Sequence, residues 1–338
     1  MNIIIPMAGM GKRLRPHTLT IPKPLIPIAG KPMVQRLVED IVKVCNTKIN
    51  EIAFVISSSF GKETEKKLVN IAGEMGAKGT ISYQDEPLGT AHAILCAKKA
   101  LKGPVVVAFA DTLFKADFTM DLAQDGIIWV KKVKDPTLFG VVKIGNNGFI
   151  TDFIEKPVTF VSDLAIIGIY YVKNGEFLKD EMQYLIDNDI KEKGEYQLTN
   201  ALENMKNKGA KFIPGAINEW LDCGNKNNTV YTNQRILEIV QNEKLISSSS
   251  KLINSVIIKP CFIGENVVLE NSVIGPHVSI EADSTINSSV IKNSIIQANS
   301  KIYNANFTNS MVGNFVEYEG AVNELSIGDY CTTVPLKK

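Results

Sequence analysis

The sequence predicts an α/β fold, a mostly parallel sheet with helices on both faces, followed by a parallel β-helix. Two patterns carry that prediction. Residues 1 to about 215 alternate short β-branched runs with helical stretches. Beyond residue 251 an aliphatic side chain recurs every five or six positions among small polar residues. The length of 338 residues fits two domains, and a chain of that size buries roughly 70–75% of its unfolded surface without disulfide or metal.

Strands are expected at residues 3–7, 52–57, 80–83, 105–110, 127–133 and 165–172, where β-branched residues cluster. Helices are expected at 32–44, 62–75 and 90–101, where apolar residues fall near helical spacing. Pro32 suits a first helical turn, which needs no backbone donor. Residues 228–244 keep helical periodicity through Val230, Ile236, Leu237 and Val240, and the serine run 247–250 reads as a linker. The expected domains are therefore 1–245 and 251–338.

From Lys251 onward there are twenty-two Ile or Val, four Leu, eleven Asn and ten Ser, a composition of strands and tight turns. Ile263, Leu269, Ile274, Ile280, Ile286, Ile291, Ile296, Ile302 and Phe307 mark the period, and Ser255, Ser272 and Ser289 are seventeen apart. This is the hexapeptide signature of a left-handed β-helix, each aliphatic side chain pointing inward. Asn271, Asn293 and Gly275 suit corners that need positive φ. A β-sandwich would instead show longer strands of period two.

The charge balance excludes several functions. With 37 basic against 36 acidic residues, the chain lacks the broad cationic surface of a nucleic-acid binder. Cys45, Cys96, Cys223, Cys261 and Cys331 are far apart, without a CxxC pair, and read as reduced, mostly buried thiols. The apolar start lacks a basic n-region and no apolar run reaches eighteen residues, so neither a signal peptide nor a membrane span is expected. A cytoplasmic protein is the expectation.

Chemistry concentrates near the start. Residues 6–14, Pro-Met-Ala-Gly-Met-Gly-Lys-Arg-Leu, follow the first strand directly. Gly9 and Gly11 let backbone approach a ligand, and exposed amides with Lys12 and Arg13 make an anion cradle. The pattern is neither a dinucleotide fingerprint, which wants glycine at Leu14, nor a P-loop, since no Ser or Thr follows Lys12 or Lys31. Residues 1–38 hold Lys12, Arg13, Arg15, Lys23, Lys31 and Arg36 and no carboxylate. A local positive field in a neutral chain points to a phosphate-rich small ligand. Four prolines in residues 22–32 then stiffen the loop that carries Lys23.

Gly9, Gly11, Arg13, Leu14, residues 22–25 (Pro-Lys-Pro-Leu) and 30–32 (Gly-Lys-Pro) resemble the opening of the sugar-1-phosphate nucleotidyltransferases, which include the glucose-1-phosphate thymidylyltransferases. The resemblance extends to about residue 235 and implies a Rossmann-like sheet. It implies that Ala8, Gly9, Gly11 and Arg13 hold a nucleoside triphosphate and that Lys23 contacts the reacting phosphates. Residues 84–93 look like the base-reading segment, with Gln84 offering an amide to the base and Gly89 letting it lie against backbone. A glutamine amide suits a pyrimidine imide edge, which favours dTTP or UTP. His92, at a helix start, reads as structural.

By the same resemblance, Asp111 at a strand end and Asp222 are the ligands of Mg2+, for which two carboxylates beside phosphate oxygens suffice. Ala110 departs from the glycine common there and could crowd the nucleotide. Gly140, Glu155, Lys156 and Glu195 would hold the sugar 1-phosphate, glucose 1-phosphate favoured. The implied reaction gives a nucleotide sugar and pyrophosphate, and no nucleophile–base pair is required. Guanylyl transfer to mannose 1-phosphate is an alternative suggested by residues 86–91.

Other classes are weaker. A glycosyltransferase would place Asp-x-Asp at a strand end; residues 111–113 lack it, and residues 187–189 fall in an expected helix. A bifunctional uridylyltransferase/acetyltransferase would need a histidine base in the tail, where His277 is the candidate but reads as a corner residue. A non-catalytic regulatory subunit is disfavoured by retention of the charged residues. The tail is expected to serve self-association into a homo-oligomer.

Overall fold

The computed structural model describes residues 1–115, 119–322, 324, 326 and 327. Two units are distinguished, Met1–Ile236 and Leu237–Lys338. The first is built in chain order from β1 (Asn2–Pro6), the short hairpin β2 (Pro27–Ile28) and β3 (Lys31–Pro32), α1 (Met33–Cys45), β4 (Glu51–Ile56), α2 (Gly61–Glu74), β5 (Lys78–Tyr83), α3 (Thr90–Cys96), β6 (Val105–Ala108) and β7 (Thr112–Lys115). It continues through β8 (Gly126–Lys132), β9 (Gly140–Ile144), β10 (Ile150–Glu155), β11 (Leu164–Val172), α4 (Gly175–Asp187), α5 (Leu198–Asn207), β12 (Phe212–Ala216), β13 (Glu219–Asp222) and α6 (Lys226–Ile239).

The main sheet runs β10-β9-β11-β6-β1-β4-β5, with β8 joined to β11 and β12 to β8. β6, β1, β4 and β5 run parallel to one another. β11 lies antiparallel to β6, β8 and β9, and β10 antiparallel to β9. The sheet is thus mixed: its first half is the parallel, doubly covered sheet expected from the alternation, and its second half turns antiparallel. Ile3, Ile4, Ile5 and Val105, Val106, Val107 are wholly buried, as continuous apolar runs must be when helices cover both faces.

Strand order decides where a site can form. The chain steps from β1 to β4 to β5 on one side, then returns to place β6 on the other side of β1. At such a switch the loops leaving the two central strands diverge and open a crevice at their carboxyl ends. The loops after β1 and β6 are those carrying Gly9–Arg13 and Asp111.

The second unit is a parallel β-helix. Short strands stack in three sheets, joined in register. Coils of seventeen residues shorten to sixteen: Val268 pairs with Thr285, and Thr285 with Lys301. Ile263, Leu269, Ile274, Ile280, Ile286, Ile291, Ile296 and Ile302 are fully buried in one core, with Phe307 packed against it. Asn271, Asn293 and Gly275 all take positive φ at corners, and a sandwich is ruled out. The seventeen-residue serine spacing acquires a cause. Ser255 Oγ accepts from Ser272 N–H, and Ser272 Oγ from Ser289 N–H, each at 3.1 Å. Ser289 Oγ then accepts from Ala305 N–H at 3.0 Å.

Several local expectations are corrected. The serines at 247–250 are not a linker: Ser247 N–H donates to the Ile263 carbonyl and Ser249 Oγ accepts from Asn266 N–H, so they begin the β-helix. α3 stops at Cys96 and continues as tight turns to Ala100, where Ala97 and Ala100 amides reach back three residues. α4 ends at Asp187, leaving Asn188 and Asp189 outside it. Cys45, Cys223 and Cys261 are buried and unbridged, Cys96 is half-buried, and Cys331 lies outside the described residues. Burial pushes the thiols of Cys45 and Cys223 up to about 12.

Burial raises the carboxyl of Asp40 on α1 to about 6, with Arg36 opposing. A folded-state value above the ordinary one means that the stability contribution is present in acid and is lost as pH climbs through about 6. Asp40→Asn is expected to raise the melting temperature by a few degrees at pH 8 and to leave it unchanged near pH 4, as read by scanning calorimetry.

Candidate active site

The crevice beside β1 and β6 is a cleft of about 400 Å³. One wall carries Ala8, Gly9, Gly11, Lys12, Arg13, Lys23 and Asp111, and another carries Gln84, Gly89, Thr90 and Glu195. The glycine loop folds for local reasons. Gly11 sits at φ 57°, and Leu14, buried to 1%, anchors a tight turn that leaves Lys12 and Arg13 exposed. A Cβ on Gly11 would lie 3.0 Å from both Lys23 Cβ and Thr18 Cγ2, so the glycine turn is packed directly on the Lys23 loop. Gly9 differs. It has open space around the position of a Cβ, so the fold itself does not demand glycine there.

The proline-stiffened loop behaves as expected. Leu25 and Ile26 amides close a tight turn onto Pro22 and Lys23, and Ile26 is wholly buried. Arg36, itself buried, donates to the carbonyls of Ile28 and Ala29 at 2.6 Å. Lys23 is nearly buried, and its Nζ donates to Asp111 Oδ2 at 2.9 Å. The six cations of residues 1–38 are therefore not a uniform field. Arg36 clamps backbone, Lys31 pairs with Glu39 and Lys23 pairs with Asp111; of the other three, Lys12 and Arg13 line the cleft and Arg15 does not.

Asp111 is set by the sheet's irregular strand. β11 breaks register between Ile166 and Tyr170, and Gly168, at φ 88°, accepts from Phe109 N–H. Thr112 Oγ1 donates to the Ile167 carbonyl. Ala110, the departure from the family glycine, is buried and lines the cleft. Asp222 reaches the same place from far along the chain, because β13 pairs with β7, Asp222 opposite Thr112, and Cys223 N–H donates to the Asp111 carbonyl. The Asp222 carboxylate accepts from Gly224 N–H at 3.0 Å and from Asn228 Nδ2 at 2.5 Å. Gly224 lines the cleft while Asp222 itself stands just behind it.

The Gln84–Gly89 wall is stitched to residues 195–198 through backbone and side-chain hydrogen bonds. Gly89 takes φ 114°, where a Cβ would fall 2.4 Å from the Tyr196 carbonyl oxygen. Tyr196 N–H donates to Leu88 and Ala91 N–H to Tyr196. Thr90 Oγ1 donates to Gln197 Oε1, and Gln197 Nε2 donates to Glu195 Oε2. Gly140, Glu155 and Lys156 do not line the cleft. They form a cluster beside it: Gly140 pairs with Glu155 across β9 and β10, and Thr199 Oγ1 donates to Glu155 Oε2. Lys156 Nζ lies 3.4 Å from Glu155 Oε1. Lys193 donates to the carbonyls of Lys156 and Glu155. Residues 195–199 run continuously between this cluster and the cleft. Thr90 and Gln197 have no role legible in the sequence, because their contact joins segments more than a hundred positions apart; Asn228 lies only six residues from Asp222 but belongs to no motif.

A family model described as nucleotidyl transferase matches residues 2–239. The chain belongs to the nucleotidyl transferase family. It is 29% identical to a "Bifunctional protein GlmU" of Methanococcus vannielii over 93% of this chain and 78% of the relative. It spans only 61% of a relative of the same name from Methanococcus maripaludis, at 32% identity over 81% of this chain. A glucose-1-phosphate thymidylyltransferase of Streptomyces antibioticus is 26% identical over 89% of this chain and 88% of its own length. A solved structure of UDP-glucose pyrophosphorylase complexed with UDP-glucose superposes with a TM-score of 0.57 at 25% identity, covering 70% of this chain and 98% of that one. The chain is thus a sugar nucleotidyltransferase, with the α/β sheet and the β-helix that its sequence implied, the sheet being mixed where a mostly parallel one was expected. No helix among the described residues is long and apolar enough to cross a membrane.

Gly89→Ala is expected to lower the melting temperature markedly, since both the φ and the approach of Tyr196 forbid a side chain. Gly9→Ala should leave it unchanged. Thermal denaturation of the two variants followed by circular dichroism checks the contrast.

Proposed function

We propose that the enzyme transfers a nucleotidyl group from dTTP or UTP to a sugar 1-phosphate, glucose 1-phosphate favoured, and releases pyrophosphate. The observation that carries this reading is the single cleft in which the Gly9–Arg13 turn, Lys23 and Asp111 face Gln84 and Gly89. Cations and glycine backbone at one end suit a triphosphate, and an amide with a bare backbone turn at the other suits a planar base.

An oxygen of the sugar phosphate forms the new bond to the α-phosphorus as the bond to the bridging oxygen breaks, and pyrophosphate departs with that electron pair. The attacking group is already an anion at neutral pH, its second pKa being about 6, so no general base is required. The obstacle is repulsion between two polyanions. Arg13 supplies charge from the exposed turn, and the Ala8, Gly9 and Gly11 backbone can approach the phosphates closely. Lys23, on its stiff loop, exchanges Asp111 for phosphate oxygen as the ligand arrives.

Asp111 and Asp222 fit a Mg2+ site. Their donors are hard carboxylate oxygens, the β7–β13 pairing brings them to one place, and no larger acidic or histidine cluster occurs among the described residues. Two carboxylates are the usual protein share when phosphates complete the shell. When bound, the cation neutralises phosphate charge. Asn228 and Gly224 orient the Asp222 carboxylate for that role.

On the sugar side, Glu155 accepts from hydroxyls and Lys156 grips the phosphate, with Gly140 and Glu195 shaping the pocket. Lys156 is held at φ 42°. The β-helix serves self-association in this reading: its outer surface stacks Val256, Val273 and Val290 in register, and Val256 and Val290 are exposed. The bifunctional uridylyltransferase/acetyltransferase alternative keeps the support of the relatives named Bifunctional protein GlmU; its candidate base is His277. His277 sits at a corner with φ 64°, and its Nε2 is 3.0 Å from Glu238 Oε1.

Pyrophosphate release measured across five nucleoside triphosphates and several sugar 1-phosphates tests the proposal. Turnover should be highest with dTTP or UTP and glucose 1-phosphate; turnover confined to GTP and mannose 1-phosphate would overturn it. Asp111→Ala and Asp222→Asn are each expected to lower kcat by two orders of magnitude or more while the circular dichroism spectrum is kept. Lys156→Ala should raise KM for the sugar phosphate at least tenfold and leave KM for the nucleotide unchanged, as initial-rate kinetics with each substrate varied will show.

A further inference from the structure

The carboxamide of Gln84 has its donor end spent inside the protein. Nε2 donates to the Gly89 carbonyl at 3.2 Å and lies 3.0 Å from His92 Nδ1. A carbonyl oxygen can only accept, so the Gly89 contact by itself decides which end of the amide is nitrogen. His92 Nδ1 must then be the unprotonated ring nitrogen, with the proton on Nε2. Burial holds the imidazole below its ordinary value, against a smaller opposing pull from the Glu86 carboxylate, which keeps the ring neutral at pH 7. The Gln84 amide N–H is fixed to the Ile56 carbonyl at the end of β4. The remaining polar atom, Oε1, is what Gln84 offers to the cleft it lines.

We infer that His92 is a positioning residue that fixes the hydrogen-bonding polarity of Gln84. Where Oε1 meets the ring nitrogen of the pairing edge, the cleft takes bases that carry a proton there, such as uracil, thymine and guanine, and disfavours those with a bare ring nitrogen, cytosine and adenine. The inference rests on the reading of Gln84 as the base-facing residue. Turning the amide over would satisfy cytosine but would set Oε1 against two acceptors, the Gly89 oxygen and Nδ1. Both alternatives leave polar groups mismatched in a partly buried site, which is the situation that gives strong discrimination. His92 does not line the cleft, so it acts on the base only through Gln84. A merely structural histidine would affect all nucleotides alike.

Calorimetric titration of the full chain with UTP and with CTP, each with Mg2+, reads the discrimination directly. The wild type should favour UTP by tenfold or more, and absence of that preference overturns the inference. His92→Ala should shrink the ratio of the two dissociation constants about tenfold, whereas His92→Asp, which keeps an acceptor toward Nε2, should preserve it. Equal loss of both affinities in His92→Ala, with the ratio unmoved, overturns the inference. Gln84→Ala must abolish the preference. If it does and His92→Ala does not, the positioning role fails; if Gln84→Ala leaves the preference intact, the base-facing assignment itself fails. Should His92→Ala not fold, nitrogen NMR of histidine-labelled wild type decides the matter, because a proton on His92 Nδ1 at pH 7 is incompatible with the inference.

Discussion

The cleft depends on the return of β6 to the far side of β1. That reversal sends two consecutive parts of the parallel sheet in opposite directions and leaves their carboxyl-terminal loops without a covering helix between them. The same edge then receives the glycine turn from β1, Gln84 from the end of β5 and Asp111 from the end of β6. The ion pair between Lys23 and Asp111 holds the arrangement across the gap. A lysine buried as deeply as Lys23 would cost several kcal/mol if its charge were left unpaired, so the carboxylate stabilises the loop that presents the ammonium to a ligand. Each partner is kept in place by the other until phosphate competes.

Rigidity is distributed unevenly around this edge. The Lys23 loop is locked by prolines, by the Arg36 guanidinium on two carbonyls and by Asn233 Oδ1, which accepts from Ala29 N–H. The Gly89 turn is locked by Tyr196. The short Lys12–Leu14 turn is held through Leu14, through Thr18 Oγ1 donating to the Gly11 carbonyl and through the packing of Gly11 on Lys23. The cleft therefore has two fixed parts, the Lys23 loop and the Gly89 turn, beside the exposed side chains of Lys12 and Arg13.

What was legible in the sequence was local. Gly9, Gly11, Arg13 and Lys23 sit within a few residues of strand ends and turns that composition reveals, and the β-helix announces itself through its period. Asp111 and Asp222 were legible only through the family resemblance, because the pairing of β7 with β13 joins residues more than a hundred positions apart. The partners of Arg36 and Lys31 lie only seven or eight positions away, yet composition does not say which side chain turns back onto which group. Nothing local says that Arg36 is buried on carbonyls or that Lys31 answers Glu39, and the charge of the opening segment looked more available than it is. The serines at 247–250 misled in the opposite sense: a polar run that reads as loose chain is the first turn of an ordered stack, since its hydroxyls cap amides of the next coil. His92 read as structural from the sequence, which held no hint that its Nδ1 lies 3.0 Å from Gln84 Nε2.

The serine column of the β-helix has a direction. Each hydroxyl donates to a carbonyl two residues earlier in its own coil, as Ser272 does to Glu270 and Ser289 to Asn287, while accepting the amide of the following coil. A lesion at one rung accordingly strands a backbone nitrogen not where it occurs but one storey further on, and the column transmits damage only toward the carboxyl end.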